Sequence, residues 1–134
     1  MNKTSYLILR MAIGTSMMGH GLVRLPKLST FSTWMTGSFK NSMLPSVLVL
    51  PFSYLLPFAE FGIGVLILIG LFSRSAFMAG ALVMVMLIFG TCMVENWEAI
   101  PSQLIHVVFF AFLLQYAGSN TWSIENLLFK KQRS

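Results

Sequence analysis

The sequence predicts an all-α membrane protein, a polytopic four-helix bundle with a short interfacial segment between its first two helices. Of the 134 residues, 56% are hydrophobic and only 10% are charged, whereas a soluble domain usually carries about 25% charged residues. The mean hydropathy is +0.77. In addition, four stretches approach the roughly 20 mainly apolar residues that a membrane-crossing helix needs. Such a surface cannot face water everywhere, so we expect the lipid bilayer to be its main partner.

Each of the four predicted helices departs from a plain apolar run in its own way. The first is interrupted by Arg10 and His20, and the second contains Glu60 together with two prolines. The third carries no charge, and the fourth holds His106. In chain order, the predicted helices cover residues 5–23, 46–72, 75–94 and 101–117. A polar tail over residues 118–134 completes the chain, and its length is that of one small domain, residues 1–134.

The interfacial segment is predicted from the stretch RLPKLSTFSTWMTGSFKNSMLP, which separates the first two helices. Leu28, Phe31, Met35 and Phe39 recur there at near-helical spacing, a pattern typical of a helix that lies along the membrane surface.

Basic residues in the short loops predict the orientation, because cytoplasmic loops carry more Lys and Arg. Arg24, Lys27 and Lys40 lie in the loops opposite the termini, and Glu95 and Glu98 offset them. The excess favours both termini in the cytoplasm. Since basic residues at segment ends meet lipid headgroups, the net charge of +5 does not indicate nucleic-acid binding. The basic residues on the side of the termini are Lys3, Arg74, Lys130, Lys131 and Arg133.

Several chemistries are excluded by the motifs that the chain lacks. Cys92 is the single cysteine, so there is no intramolecular disulfide and no CxxC pair. There is no GxSxG, Walker or HExxH motif and no ligation pattern for haem or iron–sulfur clusters. Without fixed ligand spacing on one helix, no metal site is predicted, and no catalytic residue is assigned.

Small residues are frequent in the predicted helices, and they let helix backbones approach closely in lipid. Helix packing is their expected role. The glycines assigned to it are Gly14, Gly21, Gly62, Gly64, Gly70 and Gly80.

Four ionisable residues lie within the predicted helices, where a charge costs about 2.5–3.5 kcal/mol at the bilayer centre and so marks pairing or function. At about 1.5 Å per residue, Glu60 and His20 lie about 18 and 22 Å from the cytoplasmic side. His106 enters from the opposite face to about 8 Å. We therefore expect a polar cluster in the outer half of the bundle, with His20 as the depth-matched neighbour of Glu60.

Arg10 lies only about 8 Å from the cytoplasmic side. Two roles are therefore considered for Arg10. Its side chain can snorkel to the cytoplasmic headgroups and anchor the topology, or it can pair with Glu60. For Glu60, His20 and His106, structural interhelical hydrogen bonds stand beside a functional role.

Three stretches resemble the DoxX family. RMAIGTSMMGHGLVRLPK, from Arg10 to Lys27, is similar to its first-helix signature, and FAEFGIGVLILIGLFSR, from Phe58 to Arg74, is similar to its Gly-rich second helix. LLQYAGSNTWSIENLL resembles its closing element, although AGSNTWSIE lacks the glycine-proline-glycine turn. Arg24 stands where lysine is common. The positions that match the signatures are Arg10, Gly14, Gly21, Glu60, Gly64, Gly70 and Arg74.

The resemblance implies a bacterial-type inner-membrane protein that is often linked to quinone-dependent redox chemistry. It leaves two functions open. One is a subunit of a quinone-linked complex, in which Glu60, His20, Arg10 and His106 offer a site for the quinone headgroup and for proton exchange. The other is a non-catalytic anchor or scaffold. Either function implies other membrane or periplasmic subunits, or further copies of this chain. The cofactor in the first case is a quinone that is not covalently bound.

Overall fold

The structure is a computed structural model, and it describes residues 1–130. The chain is all-α, with no strand in that range. Short 3-10 turns at Leu25–Lys27, Trp97–Ala99 and Ala117–Ser119 connect some of the helices. The helices are α1 (Lys3–Arg24), α2 (Leu28–Ser38), α3 (Ser46–Ile69), α4 (Ser73–Met93), α5 (Ile100–Gln115) and α6 (Ile124–Lys130).

Three segments within residues 1–130 are long and apolar enough to cross a membrane: α3, α4 and Trp97–Gln115. The chain is therefore a membrane protein. Helix α1 is not among the three, although its 22 residues would extend about 33 Å. Arg10 and His20 lower its hydropathy, so the predicted number of four crossings is met by length in α1 but not by composition.

The four long helices, α1, α3, α4 and α5, alternate in direction and pack side by side around a common core. Helix α1 packs on α3 and α5, and α4 packs on the same two helices. The termini end, where α1 starts and α5 stops, also holds the tail, since Ser119 Oγ donates to the Met1 carbonyl oxygen at 2.8 Å. The opposite end holds α2 and is called the α2 end below.

Glycines bring α1 and α3 into backbone contact. A Cβ at Gly21 would collide with the backbone of Pro57 and Phe61, and a Cβ at Gly64 would collide with that of Met18. At Gly14 it would lie 2.9 Å from the Leu68 side chain. The absence of a side chain at these positions lets the two helix backbones approach closely.

The remaining glycines divide. A Cβ at Gly80 would lie 2.6 Å from the Phe110 ring, which confirms close packing of α4 on α5. Gly70 ends α3 in the left-handed conformation, at φ +68, which glycine adopts without strain. For Gly62 the prediction was wrong: a Cβ there would meet nothing within 4 Å, so no close approach of another helix requires a glycine at this position.

The predicted interfacial segment contains helix α2, which is fastened to α3. Ser32 Oγ and Ser53 Oγ share a hydrogen bond of 2.7 Å, and both residues are buried. Met35 is buried as well. Helix α2 therefore packs against the longer helices and forms one wall of the cavity between them.

The tail contains more structure than its polar composition predicted. Helix α6 (Ile124–Lys130) follows a short turn, and the Glu125 amide donates to the Gly70 carbonyl oxygen at 3.0 Å. Lys131 and Arg133, which contributed to the predicted orientation, lie outside the described residues.

Candidate functional site

The buried carboxylate of Glu60 is paired with Arg24. The Arg24 Nη1 atom lies 2.6 Å from Glu60 Oε2, with 3% of the Glu60 side chain and 26% of the Arg24 side chain exposed. Arg24 is the last residue of α1, and its long side chain reaches back along α3. The expected neighbour, His20, is not the hydrogen-bond partner of Glu60 in the described part of the chain. Depth counting placed Arg24 beyond the helix and ignored the reach of a guanidinium group.

Arg24 also contacts the wall that α2 provides. Its guanidinium carbon lies 4.6 Å from the centroid of the Phe31 ring, a cation–π distance. A charge-assisted hydrogen bond and an aromatic face thus hold one side chain in place. The guanidinium carries five N–H donors, so the bond to Glu60 leaves others available to a ligand.

The two histidines lie side by side next to this pair. His20 and His106 have ring centroids 6.2 Å apart, at an interplanar angle of 73°. The Nδ1 atoms donate to main-chain carbonyl oxygens of the preceding turn, His20 to Ser16 at 2.7 Å and His106 to Ser102 at 2.8 Å. A carbonyl oxygen can only accept, which fixes the proton on each Nδ1.

The second nitrogen of His106 is also engaged. Its Nε2 lies 2.8 Å from Ser16 Oγ, so the hydroxyl donates while the imidazole is neutral and accepts once it is protonated. Ser16 therefore links α1 to α5, and its hydrogen bond can reverse direction with the charge of the histidine.

Gln103 adds a polar group that the sequence showed but that was assigned no role. Its Nε2 donates to Thr91 Oγ1 at 2.8 Å, which joins α5 to α4. Its Oε1 is buried and has no hydrogen-bond partner within the described chain. A buried acceptor without a partner costs about 1–3 kcal/mol, which a ligand hydroxyl could recover.

These groups line one wall of a cavity of about 510 Å³ at the α2 end. The volume lies within the range of about 300–1,000 Å³ that small-molecule sites occupy. Much of the rest of the lining is apolar and includes Phe31, Trp34, Phe39, Phe52 and Met84. The polar wall includes His20, Arg24, Glu60, Gln103 and His106. The structure thus brings three of the four predicted site residues together and adds Arg24 and Gln103.

The fourth predicted residue, Arg10, lies at the termini end and does not meet Glu60. It is 3% exposed, and its Nη1 donates to Asn120 Oδ1 at 2.6 Å. It points into the protein, so the snorkelling role expected of it does not apply. Its Nη2 lies 3.5 Å from the Leu68 carbonyl oxygen, and its Nε has no partner among residues 1–130.

Arg10 belongs to a second polar network, which fastens the tail. Asn120 Nδ2 donates to Ser73 Oγ at 2.8 Å, and the Ser73 amide donates to Glu125 Oε2 at 3.1 Å. Both tail residues thus bind the first residue of α4. No periodicity marks Asn120 or Glu125 in the sequence, and only the loose closing-element resemblance covers this stretch.

Comparisons with known proteins match the chain to one family. The DoxX family model matches residues 5–93, roughly two thirds of the chain. No curated protein and no solved structure matches. The matched segment contains Arg10, Arg24 and Glu60, whereas His106 and the tail lie beyond it. Through that match and the helical architecture around it, the chain belongs to the DoxX family.

Proposed function

We propose that the chain is the membrane subunit of a quinone-linked redox assembly, and that its cavity binds the quinone headgroup. The observation that carries the proposal is the buried Glu60–Arg24 pair, which forms the wall of a cavity beside two histidines. Ionisable groups inside a membrane bundle are expensive and are retained where they pair or function. An open cavity beside the pair favours function here.

The polar wall fits both redox forms of a quinone. Quinone carbonyls accept hydrogen bonds, which the free N–H groups of Arg24 can donate. Quinol hydroxyls donate, and Glu60 and the unpartnered Gln103 Oε1 can accept. Histidine exchanges protons near neutral pH, so His20 and His106 are the candidates for the protons that accompany each redox turnover.

The electrons would come from another subunit. The chain has no ligation pattern for haem or iron–sulfur clusters, so a membrane or periplasmic partner would donate or accept them. In this arrangement α1 crosses the membrane in addition to the three apolar segments, which gives four crossings. Both termini are then cytoplasmic, and the α2 end faces the periplasmic side of the inner membrane. The start of α1 and the end of α5 lie at the same end of the bundle, where Ser119 contacts Met1, and this supports an even number of crossings.

An anchor or scaffold is the second candidate, and the Arg10 network supports it. A buried polar network without an open cavity fixes helix positions and needs no ligand. If the Arg10 network were the main polar feature of the chain, a scaffold function would be sufficient to explain it. The cavity at the other end is therefore what separates the two functions.

Mass spectrometry of protein extracted in native-lipid particles tests the proposal, with co-purifying quinones and polypeptides scored together. We expect quinone in the wild type and its loss in Glu60→Gln, with unchanged partners. Glu98→Gln is the matched control, because Glu98 is exposed on the loop after α4. Partners without enriched quinone in the wild type would contradict the proposal and leave the scaffold.

A further inference from the structure

An apolar groove on the lipid-facing side of the bundle adjoins the cavity. The groove has a volume of about 450 Å³ and lies between α2, α3 and α4. Leu44, Leu48, Val85 and Phe89 are among the residues that line only the groove, whereas Met35, Phe39, Phe52, Met86 and Gly90 line both spaces. Cavity and groove are thus neighbours that share these side chains, and the groove is lined by apolar residues, whereas the cavity lining also contains polar ones.

The groove opens outward. Leu48, Val85 and Phe89 are 60%, 55% and 55% exposed, although they are large and apolar. In a membrane protein such side chains face hydrocarbon. The groove therefore opens toward the bilayer.

Gly90 sits at the junction of the two spaces. A Cβ there would lie 3.1 Å from the Phe39 ring, so the absence of a side chain leaves the junction as wide as the Phe39 ring allows. The groove side of the junction runs along α4 from Val85 to Gly90, about 8 Å.

From this adjacency we infer that the ligand is an amphiphile with a single hydrocarbon tail. Its headgroup occupies the cavity, and the first part of its tail passes Gly90 and Phe39 and lies in the groove. The inference rests on the proposed function and names its substrate class: a quinone bearing a long tail that enters sideways from the lipid. The groove is short, so the rest of the tail lies in the bilayer.

The steric effect of blocking the groove tests this inference. Tail and groove gain little hydrophobic free energy over lipid, because both surroundings are apolar, so affinity alone says little about the tail. Val85→Trp fills the groove instead. Val108→Trp is the matched control, since Val108 is 53% exposed on α5 and lines neither space.

Binding is measured in lipid nanodiscs with benzoquinones and naphthoquinones, each with and without a decyl tail, at known mole fractions in the lipid. We expect Val85→Trp to weaken the decyl compounds about tenfold or more, the effect of overpacking an apolar space. The tail-free compounds should bind the wild type and both variants alike.

Two results would overturn the inference, and they differ. If the wild type binds tail-free and decyl compounds but Val85→Trp leaves both unchanged, the tail does not use the groove, and the headgroup site stands. If the wild type binds none of the compounds, the proposed function itself fails. A decyl quinone with a photoreactive tail provides a check without mutation: it should label peptides of α3 and α4 that line the groove, and labelling elsewhere would contradict the inference.

Discussion

Helix α1 holds two arginines that contact the interior of the protein, Arg10 about two turns after the start of the helix and Arg24 at its last residue, yet their surroundings differ. Arg10 is 3% exposed and is enclosed by the tail, Leu68 and the turn before α4. The side chain of Arg24 is 26% exposed and, with Glu60, lines an open cavity of about 510 Å³. The same residue type therefore fastens the structure at one end and can meet a ligand at the other. What separates the roles is the space beside the side chain.

Arg10→Ala should give the largest effect, because it removes a charge-assisted hydrogen bond to Asn120 and leaves a cavity. We expect the free energy of unfolding in detergent to fall by about 3 kcal/mol or more. Arg74→Ala is the control, since Arg74 is exposed at the same end. Any folded Arg10→Ala protein should still retain quinone. Wild-type stability together with loss of quinone would reverse the roles of the two ends.

Gly21→Ala tests the crossing of α1 and α3 on which both clusters depend. The new methyl group would press against the backbone of Pro57 and Phe61, which cannot rotate away. We expect a loss of about 2–3 kcal/mol in thermal or denaturant unfolding. Gly62→Ala should be neutral or stabilising by up to about 1 kcal/mol, through helix propensity. Equal effects of the two substitutions would contradict the crossing.

A double-mutant cycle on Glu60 and Arg24 measures their pairing. Glu60→Gln and Arg24→Gln should each destabilise by about 1–3 kcal/mol, because each leaves one charge without its partner. The double variant should lose less than the sum, with a coupling of about 1–2 kcal/mol. Additive losses in the unfolding free energy would mean that the two side chains act independently.

Gln103→Leu should have the smallest effect on stability. It removes the hydrogen bond to Thr91 but also removes the buried oxygen that has no partner, so the change should stay within about 1 kcal/mol. The quinol form should nonetheless bind severalfold more weakly than in the wild type, while the quinone form is little affected. Titration of each form in nanodiscs measures this, and equal weakening of both would exclude Gln103 as an acceptor for the quinol.

Much of the architecture could be predicted because apolar runs of membrane length leave the backbone few alternatives. The ends of the long helices lie within a few residues of the predicted ones, and the cost of burying Glu60 marked it correctly. The rotation of each helix could not be read from composition. That is why Gly62 was assigned to packing. Arg10 was grouped with residues at the other end although its depth, about 8 Å from the cytoplasmic side, already set it apart from them.

To predict the partner of Glu60, the reach of each side chain is needed as well as the depth of its residue. Arg24 ends α1, and counting residues placed it outside the bundle. The family signature did include its position and was the available signal. For Asn120 and Glu125 the sequence offered less, since short polar stretches have no periodicity and their contacts form only when the tail folds back on α4.

The bond between Arg10 and Asn120 joins residues separated by 110 positions. During synthesis, Arg10 therefore enters the membrane well before its partner has been translated. At about 5–20 residues per second, a ribosome that has just delivered Arg10 to the membrane needs about 6–20 seconds to deliver its partner. Until then the guanidinium must stay near the headgroups or be sheltered by the insertion machinery. A chain that stops before residue 120 never acquires the bond, so its first helix keeps a guanidinium group without the Asn120 partner.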